Sequence, residues 1–230
     1  MSRSLSRSKV ELFLHCPRCF WLDVKAGVKQ PPGFPFNLNS AVDHLLKNEF
    51  DRYRGGTTVP PRLAREGLSF IPAAHPELQQ WRHNFTGVRV EHEPTGLTLF
   101  GAIDDLWADA GGTHYVVDYK ATSKRDEVSL DADWQDGYRR QVEFYQWLLR
   151  GRGLNVSDRA WFVYANGIRD GEAFDDVLRF RTKLIPYDGN DGWVEPTLRD
   201  VADCLASAHV PKADPKCTFC DYVARAAAAG

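Results

Sequence analysis

The sequence predicts an α/β fold in which a central mixed sheet is flanked by helices. Three observations predict it: two strand patterns joined by a glycine-rich turn, a long amphipathic helix pattern after them, and two more strand patterns beyond that helix. The helix is expected at residues 131–150, and the strands are expected near residues 97–107, 113–122, 159–165 and 175–185. In this order of elements, the helices would lie on the faces of the sheet.

The first part of the chain contains two helix patterns separated by a linker. Ser8-x-x-Glu11 is a capping-box pattern, and Pro17 is expected to end or kink the helix that it starts. Residues 31–35 are rich in proline and predict an irregular linker. Ser40 is expected to cap a second helix, and the apolar stripe of that helix is predicted to be Val42, Leu45, Leu46 and Tyr53.

The remaining segments carry weaker patterns. Residues 55–95 are largely unpatterned and contain several prolines, with a short helix possible around 76–85. A last helix is expected at roughly 195–208, and the alanine tail at 226–229 is expected to fray. No internal repeat is evident, so the sequence predicts a single domain over residues 1–230.

The two strands around Ala110-Gly111-Gly112 bring two acidic residues to opposing positions. Strand side chains alternate between faces, so Asp118 and Lys120 share one face. With a three-residue hairpin loop, Asp104 lies opposite Asp118, with their Cβ atoms roughly 5 Å apart. Asp105 is the nearest rival to Asp104, but it points to the other face. Facing carboxylates repel unless a positive group lies between them, so the pattern predicts a divalent-cation site with Lys120 beside it.

The long helix pattern places Gln141 and Tyr145 one turn apart, on the same side of the helix. Taken alone, this spacing also fits ordinary packing, because aromatic residues at helical spacing usually belong to a core. The apolar positions expected on this helix are Trp134, Tyr138, Val142, Tyr145 and Leu149.

The chain has five cysteines, and four of them form two C-x-x-C pairs near its ends: Cys16, Cys19, Cys217 and Cys220. In a cytosolic protein, such pairs favour a metal centre over disulfides. Four thiolates complete either a [4Fe–4S] cluster or a tetrahedral zinc site, and the spacing does not choose between them. If the pairs meet, residues 1–30 and 209–223 form a small subdomain that joins the termini. Cys204 is expected to lie in the core instead.

Composition argues against membrane-spanning proteins and against proteins that bind nucleic acid through bulk positive charge. The 230 residues are 43% hydrophobic and carry a net charge of −2, which counts against nucleic-acid binding through bulk positive charge. No apolar run is long enough to span a membrane, and the N-terminus lacks the apolar stretch of a secretory signal. The expected location is therefore the cytoplasm, with no membrane partner.

Together these motifs resemble the PD-(D/E)xK nuclease superfamily and, within it, the RecB-like branch that contains CRISPR-associated and helicase-linked exonucleases. They follow the order of the family and span nearly the whole chain. The matching elements are Ser6-x-Ser8 with Cys16-Pro17-Arg18 and Phe20, then His44, Asp104, Asp118 with Lys120, Gln141-x-x-x-Tyr145 and Cys217-x-x-Cys220.

The resemblance implies a restriction-endonuclease-like fold and a role for each matching residue. Asp104, Asp118, His44 and the backbone carbonyl of Tyr119 would hold Mg²⁺ or Mn²⁺. Lys120 would act on the attacking water or the transition-state charge, and Gln141 and Tyr145 would position the phosphate or the ion. The cysteines would hold a [4Fe–4S] cluster, with structural zinc as the alternative; such nucleases usually take one cysteine from the N-terminal element and three from the C-terminus, and here Cys19 would supply the missing ligand.

The expected function is therefore a divalent-metal-dependent DNA nuclease, an exonuclease or single-strand end-processing enzyme acting on single strands or duplex ends. DNA repair and spacer acquisition are the roles that the resemblance implies, with helicases or CRISPR adaptation proteins as partners. Two alternatives remain: a catalytically silent nucleic-acid-binding protein of the same fold, and a site-specific endonuclease.

Overall fold

The computed structural model describes residues 3–33 and 37–229. The chain clusters into two compact units: one is made from parts of residues 1–34, 89–100 and 192–230, and the other from residues 35–88 and 101–191. The helices are α1 (Arg7–His15), α2 (Pro17–Val24), α3 (Asn37–Asp51), α4 (Pro61–Arg65), α5 (Leu78–Trp81), α6 (Asp136–Gly151), α7 (Val194–Ala206) and α8 (Thr218–Ala229). The strands are β1 (Arg3–Ser6), β2 (Ile71–Pro72), β3 (Val88–His92), β4 (Leu97–Gly101), β5 (Asp105–Ala108), β6 (His114–Thr122), β7 (Arg159–Gly167) and β8 (Phe180–Asp188).

The unit formed by residues 35–88 and 101–191 contains a five-stranded mixed sheet in the order β2-β5-β6-β7-β8. Strands β6 and β7 are parallel, and the other neighbouring pairs are antiparallel. One face packs on α3 and α4 through a buried cluster of Leu46, Phe50, Leu63, Trp107, Val117, Tyr119, Trp161 and Val163. Helix α6 contacts β6 from the other face, through Lys120 and Gln141. The predicted central mixed sheet flanked by helices is confirmed.

The hairpin of β5 and β6 has the predicted register. Asp105 pairs with Val117 and Ala108 pairs with His114. The turn is closed by Asp109, whose carboxylate accepts the N–H groups of Gly111 and Thr113. Gly112 has a φ of 77°, a conformation that favours glycine. This turn fixes which residues of β5 face which residues of β6.

The predicted single strand at 97–107 is wrong, because the structure divides it into β4 and β5, which belong to different sheets. At the end of β4 the chain lies very close to Gly87. A Cβ at Gly87 would be only 2.5 Å from the Gly101 carbonyl oxygen. The N–H of Ile103 then bonds to the carbonyl of Trp81 rather than to a strand neighbour. Asp104 therefore lies in a bend at the start of β5.

The unit formed by the chain ends contains a three-stranded sheet in the order β1-β4-β3, with β1 parallel to β4. β1 and β3 were not predicted, since each is short and lies in a segment without clear alternation. Pro17 occupies the first turn of α2, where its missing N–H costs nothing, so it starts a helix directly after α1. The alanine tail continues α8 to Ala229, consistent with the high helix propensity of alanine.

Two further expectations about helices are corrected. On α3 the buried residues are Leu46 and Phe50, while Leu45 is 64% exposed and Tyr53 lies beyond the helix. On the long helix, Trp134 precedes α6 and is 58% exposed, whereas Val142, Tyr145 and Leu149 are buried as expected. Over the described residues, no helix is both long and apolar enough to cross a membrane.

Candidate active site and cysteine centre

Asp104 and Asp118 adjoin the last residue pair of the β5–β6 ladder. That pair is Asp105 and Val117, and the same register continued by one residue sets Asp104, in the bend before β5, against Asp118. Asp104 Oδ2 accepts the backbone N–H of Tyr119 at 2.9 Å, which links it to the residue directly after Asp118. Asp118 is completely buried, and the Asp104 side chain is 22% exposed. The two carboxylates therefore differ in access: Asp118 lies in the middle of β6, inside the fold, and Asp104 lies just before β5, where it is partly exposed.

Lys120 lies beside Asp118 and joins it to α6. Its Nζ forms an ion pair with Asp118 Oδ2 and donates to Gln141 Oε1 at 3.4 Å. The same Nζ lies 4.5 Å from the centroid of the Tyr138 ring, a cation–π distance. Gln141 Nε2 in turn donates to the Tyr145 hydroxyl at 3.1 Å. The predicted residues Asp118, Lys120, Gln141 and Tyr145 thus form one continuous polar chain between β6 and α6.

Helix α3 contributes an acid–base pair that sequence reasoning missed. Lys47 Nζ lies 2.9 Å from Asp43 Oδ2 and 3.7 Å from Asp104 Oδ1, so it bridges the two carboxylates. Burial and the negative charge of Asp104 raise the pKa of Asp43, despite the hydrogen bond from Lys47. The available signal was the i, i+4 spacing of Asp43 and Lys47, which places both on one side of the helix.

The side-chain hydrogen bond of His44 is made within its own helix, not with Asp104 or Asp118. His44 is exposed, and its Nε2 makes a 3.1 Å hydrogen bond with Asn48 one turn along α3. Among the described residues, no group of three or more His, Cys, Asp or Glu side chains forms around Asp104 and Asp118. One residue of difference along a helix is a rotation of about 100°, which is why Asp43 and not His44 lies beside Asp104.

Asp105 belongs to a different network on the opposite face of β5, as expected. Its Oδ1 accepts from Arg54 Nη2 at 2.8 Å, from Arg82 Nη2 at 2.6 Å and from the Leu106 N–H at 2.8 Å. Its Oδ2 accepts the Tyr119 hydroxyl at 2.7 Å. Burial and the Asp105 charge raise the pKa of Tyr119 well above its ordinary value, so this phenol stays a donor. Asp105 is completely buried and fully paired, which is the pattern of a structural carboxylate.

The four cysteines of the two C-x-x-C pairs lie close together in the unit formed by the chain ends. The Sγ of Cys19 is 3.6 Å from that of Cys217 and 3.5 Å from that of Cys220, and the Sγ of Cys16 is 3.8 Å from that of Cys220. All four sulfur atoms lie within 4.8 Å of one another. Cys204 is outside this group and half-buried.

The thiols of this cluster differ in their protonation. Burial raises the pKa of Cys16, but backbone hydrogen bonds at Asp214 and Cys19 outweigh it and lower that pKa to about 7. Burial, together with the neighbouring thiols of Cys220 and Cys217, raises the pKa of Cys19. Four thiolates at these distances would repel one another without a bound cation. Cys16 therefore loses its proton more readily than Cys19. A metal ion removes that conflict because it holds all its thiol ligands deprotonated.

The donor atoms of the two clusters suit different ions. Asp104 and Asp118 offer hard carboxylate oxygens, which fit Mg²⁺ or Mn²⁺. The cysteine cluster offers soft thiolates, which fit zinc or iron.

Three comparisons with known proteins gave different results for this chain. No curated protein matches the sequence. The crystal structure of SSO0001 is similar over 87% of this chain and 76% of its own chain, with 12% sequence identity and a TM-score of 0.42. A family model, the PD-(D/E)XK nuclease superfamily, matches residues 34–225, which is most of the chain, and the protein therefore belongs to that superfamily.

Proposed function

We propose that this protein is a divalent-metal-dependent nuclease that hydrolyses phosphodiester bonds in DNA, at the centre formed by Asp104, Asp118 and Lys120. The observations that carry the proposal are the register of β5 and β6, which continued by one residue sets Asp104 against Asp118, and the ion pair between Lys120 and the buried Asp118. Membership of a nuclease superfamily supports it, since the centre has the residues from which such enzymes build their site.

In this proposal Asp104 and Asp118 hold the ion, with the Tyr119 carbonyl as a further ligand. The ion, Mg²⁺ or Mn²⁺, supplies an activated water and offsets charge on the phosphate. Lys120 exchanges its contact with Asp118 for one with the attacking water or a phosphate oxygen, where its charge stabilises the transition state. Gln141 and Tyr145 are positioning residues, because they hold the Lys120 ammonium through Gln141 Oε1. His44 stays a proposed ligand, as the resemblance implies.

The finer assignment is to the RecB-like branch, with exonuclease or single-strand end-processing activity. The hydrogen bond between Gln141 and Tyr145 supports it, because these two residues form the helical element that resembles this branch. Helicases and CRISPR adaptation proteins are the partners that such an assignment would imply.

A nuclease assay on end-labelled single-stranded and duplex DNA tests the proposal. Wild-type protein with Mg²⁺ or Mn²⁺ should release labelled products, and chelation should abolish them. Asp118→Asn and Lys120→Ala should lose cleavage, while Lys183→Ala, which removes a half-buried lysine of β8 that pairs with Glu127, should retain it. Stepwise shortening from an end indicates an exonuclease, and internal cuts indicate an endonuclease. Metal-independent cleavage, or none by any protein, would overturn the proposal.

We also propose that the cysteine cluster holds one tetrahedral zinc ion rather than the iron–sulfur cluster that the resemblance implies. Ligands that share one zinc at a Zn–S distance of ~2.3 Å stand roughly 3.8 Å apart. The Sγ separations of 3.5, 3.6 and 3.8 Å fit that tetrahedron. In a [4Fe–4S] cluster each thiolate binds a different iron, so the four sulfurs lie farther apart than ligands of a single ion.

Metal analysis of anaerobically purified protein distinguishes the two cofactors. The expected result is about one zinc per chain, no iron and no broad absorbance near ~400 nm. Cys217→Ser should lose the zinc and lower the free energy of unfolding, whereas Cys204→Ser, outside the cluster, should keep the metal. Brown protein with about four irons per chain would overturn the zinc proposal and favour the cluster.

A further inference from the structure

A groove lies beside the candidate active site, in the unit formed by residues 35–88 and 101–191. Its volume is about 420 Å³, within the range of small-ligand sites. The residues that matter to its chemistry are Leu38, Val42, Thr122, Tyr138, Leu178 and Phe180. Tyr138 and Val42 also line a smaller neighbouring cavity that Lys120 lines, so the two cavities share walls.

Aromatic rings form the wall of this groove. Tyr138 lies under the Lys120 ammonium, and the Trp134 ring packs edge-on against it at 5.7 Å between centroids. Phe180 begins β8 and is 36% exposed, opposite Gly167 in the strand pairing. Tyr138 is half-buried, so Phe180 is the more exposed of the two rings that line the groove. An exposed aromatic ring is the usual platform on which the bases of single-stranded nucleic acids stack.

Positive side chains follow the groove along the chain after β6. Lys124 and Arg125 come directly after Ser123, which lines the groove, and the Lys124 Nζ lies 4.7 Å from the Trp134 ring centroid. Within residues 3–33 and 37–229, neither Lys124 nor Arg125 takes part in an ion pair. The backbone of Lys124 is held in place, because Asn166 accepts the Lys124 N–H and donates to the Lys124 carbonyl. Positive side chains beside a groove suit the phosphates of a nucleic-acid backbone.

We propose that this groove binds a single nucleic-acid strand, with a base stacked on Phe180 and packed along Tyr138, phosphates near Lys124 and Arg125, and the backbone led towards Lys120. The proposal rests on the proposed nuclease function and adds to it the surface that would select single strands. Bases in a duplex are already stacked and paired, so their faces are not available to these rings. The site should therefore prefer single strands and frayed ends.

The test measures binding of a fluorescent oligo(dT) to protein that carries Asp118→Asn, so that cleavage does not interfere. Adding Phe180→Ala should weaken binding by about 5- to 100-fold, the range for losing one stacked base. Phe180→Trp keeps a stacking face and should restore affinity. Phe85→Ala is the matched control, because Phe85 is 81% exposed in the same unit and does not line the groove.

A second measurement uses an oligonucleotide with abasic positions. Protein with an intact groove should bind it at least about 5-fold more weakly than oligo(dT), while Phe180→Ala protein should bind both almost equally. Gly167→Leu offers a variant that fills the groove, since a Cβ at Gly167 would make ordinary contacts of 3.5–3.7 Å with Thr122, Leu178 and Phe180. It should weaken oligo(dT) binding as well.

The outcomes separate this proposal from the proposed function. Unchanged oligo(dT) affinity in both Phe180→Ala and Gly167→Leu, while wild-type protein still cleaves DNA with a divalent ion, overturns the groove and leaves the nuclease intact. Stronger binding to blunt duplex than to oligo(dT) also overturns it. Groove-dependent binding without any cleavage supports the groove and removes the nuclease.

Discussion

Asp104 and Asp105 are neighbours in the chain, yet they belong to opposite kinds of polar cluster. Asp105 is completely buried, and its two oxygens are saturated by two arginines, a tyrosine hydroxyl and a backbone N–H. Asp104 lies beside Asp43 and faces Asp118, so its side of the hairpin gathers negative charge, with Lys47 and Lys120 beside it.

The difference separates a carboxylate whose charge is compensated within the fold from one that lies among like charges. On the Asp105 side each charge is compensated by a partner within the fold, so no bound ion is needed to balance it. On the Asp104 side like charges lie close together, and this raises the pKa of Asp43. Strand alternation places the two clusters on opposite faces of one hairpin, so each can be altered separately.

Removal of Asp105 should have the largest effect on stability. Asp105→Ala leaves Arg82, whose side chain is 7% exposed, and Arg54, whose side chain is 12% exposed, without their buried partner. Breaking a buried ion pair in this way costs about 3–5 kcal/mol. Urea unfolding should show this loss, whereas Asp104→Asn should change the free energy of unfolding much less. Equal losses in the free energy of unfolding would show that Asp105 contributes no more to stability than Asp104 does.

Removal of Lys120 should have the largest effect on cleavage. Lys120→Ala deletes the ammonium that pairs with Asp118, and loss of such an electrostatic contact costs on the order of 10²–10³-fold in rate. Single-turnover cleavage of single-stranded DNA measures the loss, with circular dichroism to verify folding. Gln141→Ala should reduce the rate less, because in the proposed function Gln141 acts through its contact with Lys120. A Gln141→Ala defect larger than that of Lys120→Ala would exclude this division of roles.

The smallest expected effect is the change in the stability contribution of Asp43 with pH. Burial and the Asp104 charge raise the pKa of Asp43, so the folded state binds a proton more tightly there than the unfolded state does. Stability from this group is therefore present below the ordinary pKa of ~3.9 and is lost as the pH rises through the higher folded-state pKa. Asp43→Asn should gain stability relative to wild type at pH 7, with no gain near pH 3.

Asp188→Asn is the matched control with the opposite sign. The hydrogen bond from Arg159 lowers the pKa of Asp188, so its contribution is present above the ordinary pKa and lost as the pH falls. Asp188→Asn should therefore lose a little stability at pH 7. Melting curves from pH 3 to pH 7 would show both trends. A gain in stability at pH 7 in both variants would contradict the claim that the raised pKa of Asp43 costs stability at that pH.

Local patterns were enough to predict the centre of the fold. The alternation of β6 placed Asp118 and Lys120 on one face, and the glycine turn fixed the register that sets Asp104 against Asp118. The helical spacing of Gln141 and Tyr145 predicted that they share a side, and their side chains are hydrogen-bonded. Each of these predictions depends on residues close together in the chain, where periodicity determines direction.

Features that depend on distant residues could not be predicted in the same way. The partners of Asp105 come from Arg54 and Arg82, 51 and 23 residues upstream, in segments without clear pattern. The break between β4 and β5 depends on the approach of Gly87 to Gly101, which alternation does not reveal. The orientation of α3 was misjudged because its apolar stripe includes the exposed Leu45.

Binding of Mn²⁺, followed by electron paramagnetic resonance, addresses the pairing of Asp104 with Asp118 without depending on any substrate. Wild-type protein should bind Mn²⁺ at one site of this kind, and Asp104→Asn and Asp118→Asn should each weaken binding by at least about 10-fold, while Asp188→Asn should not. Wild-type affinity for Mn²⁺ in both the Asp104→Asn and the Asp118→Asn proteins would show that these two carboxylates do not share an ion.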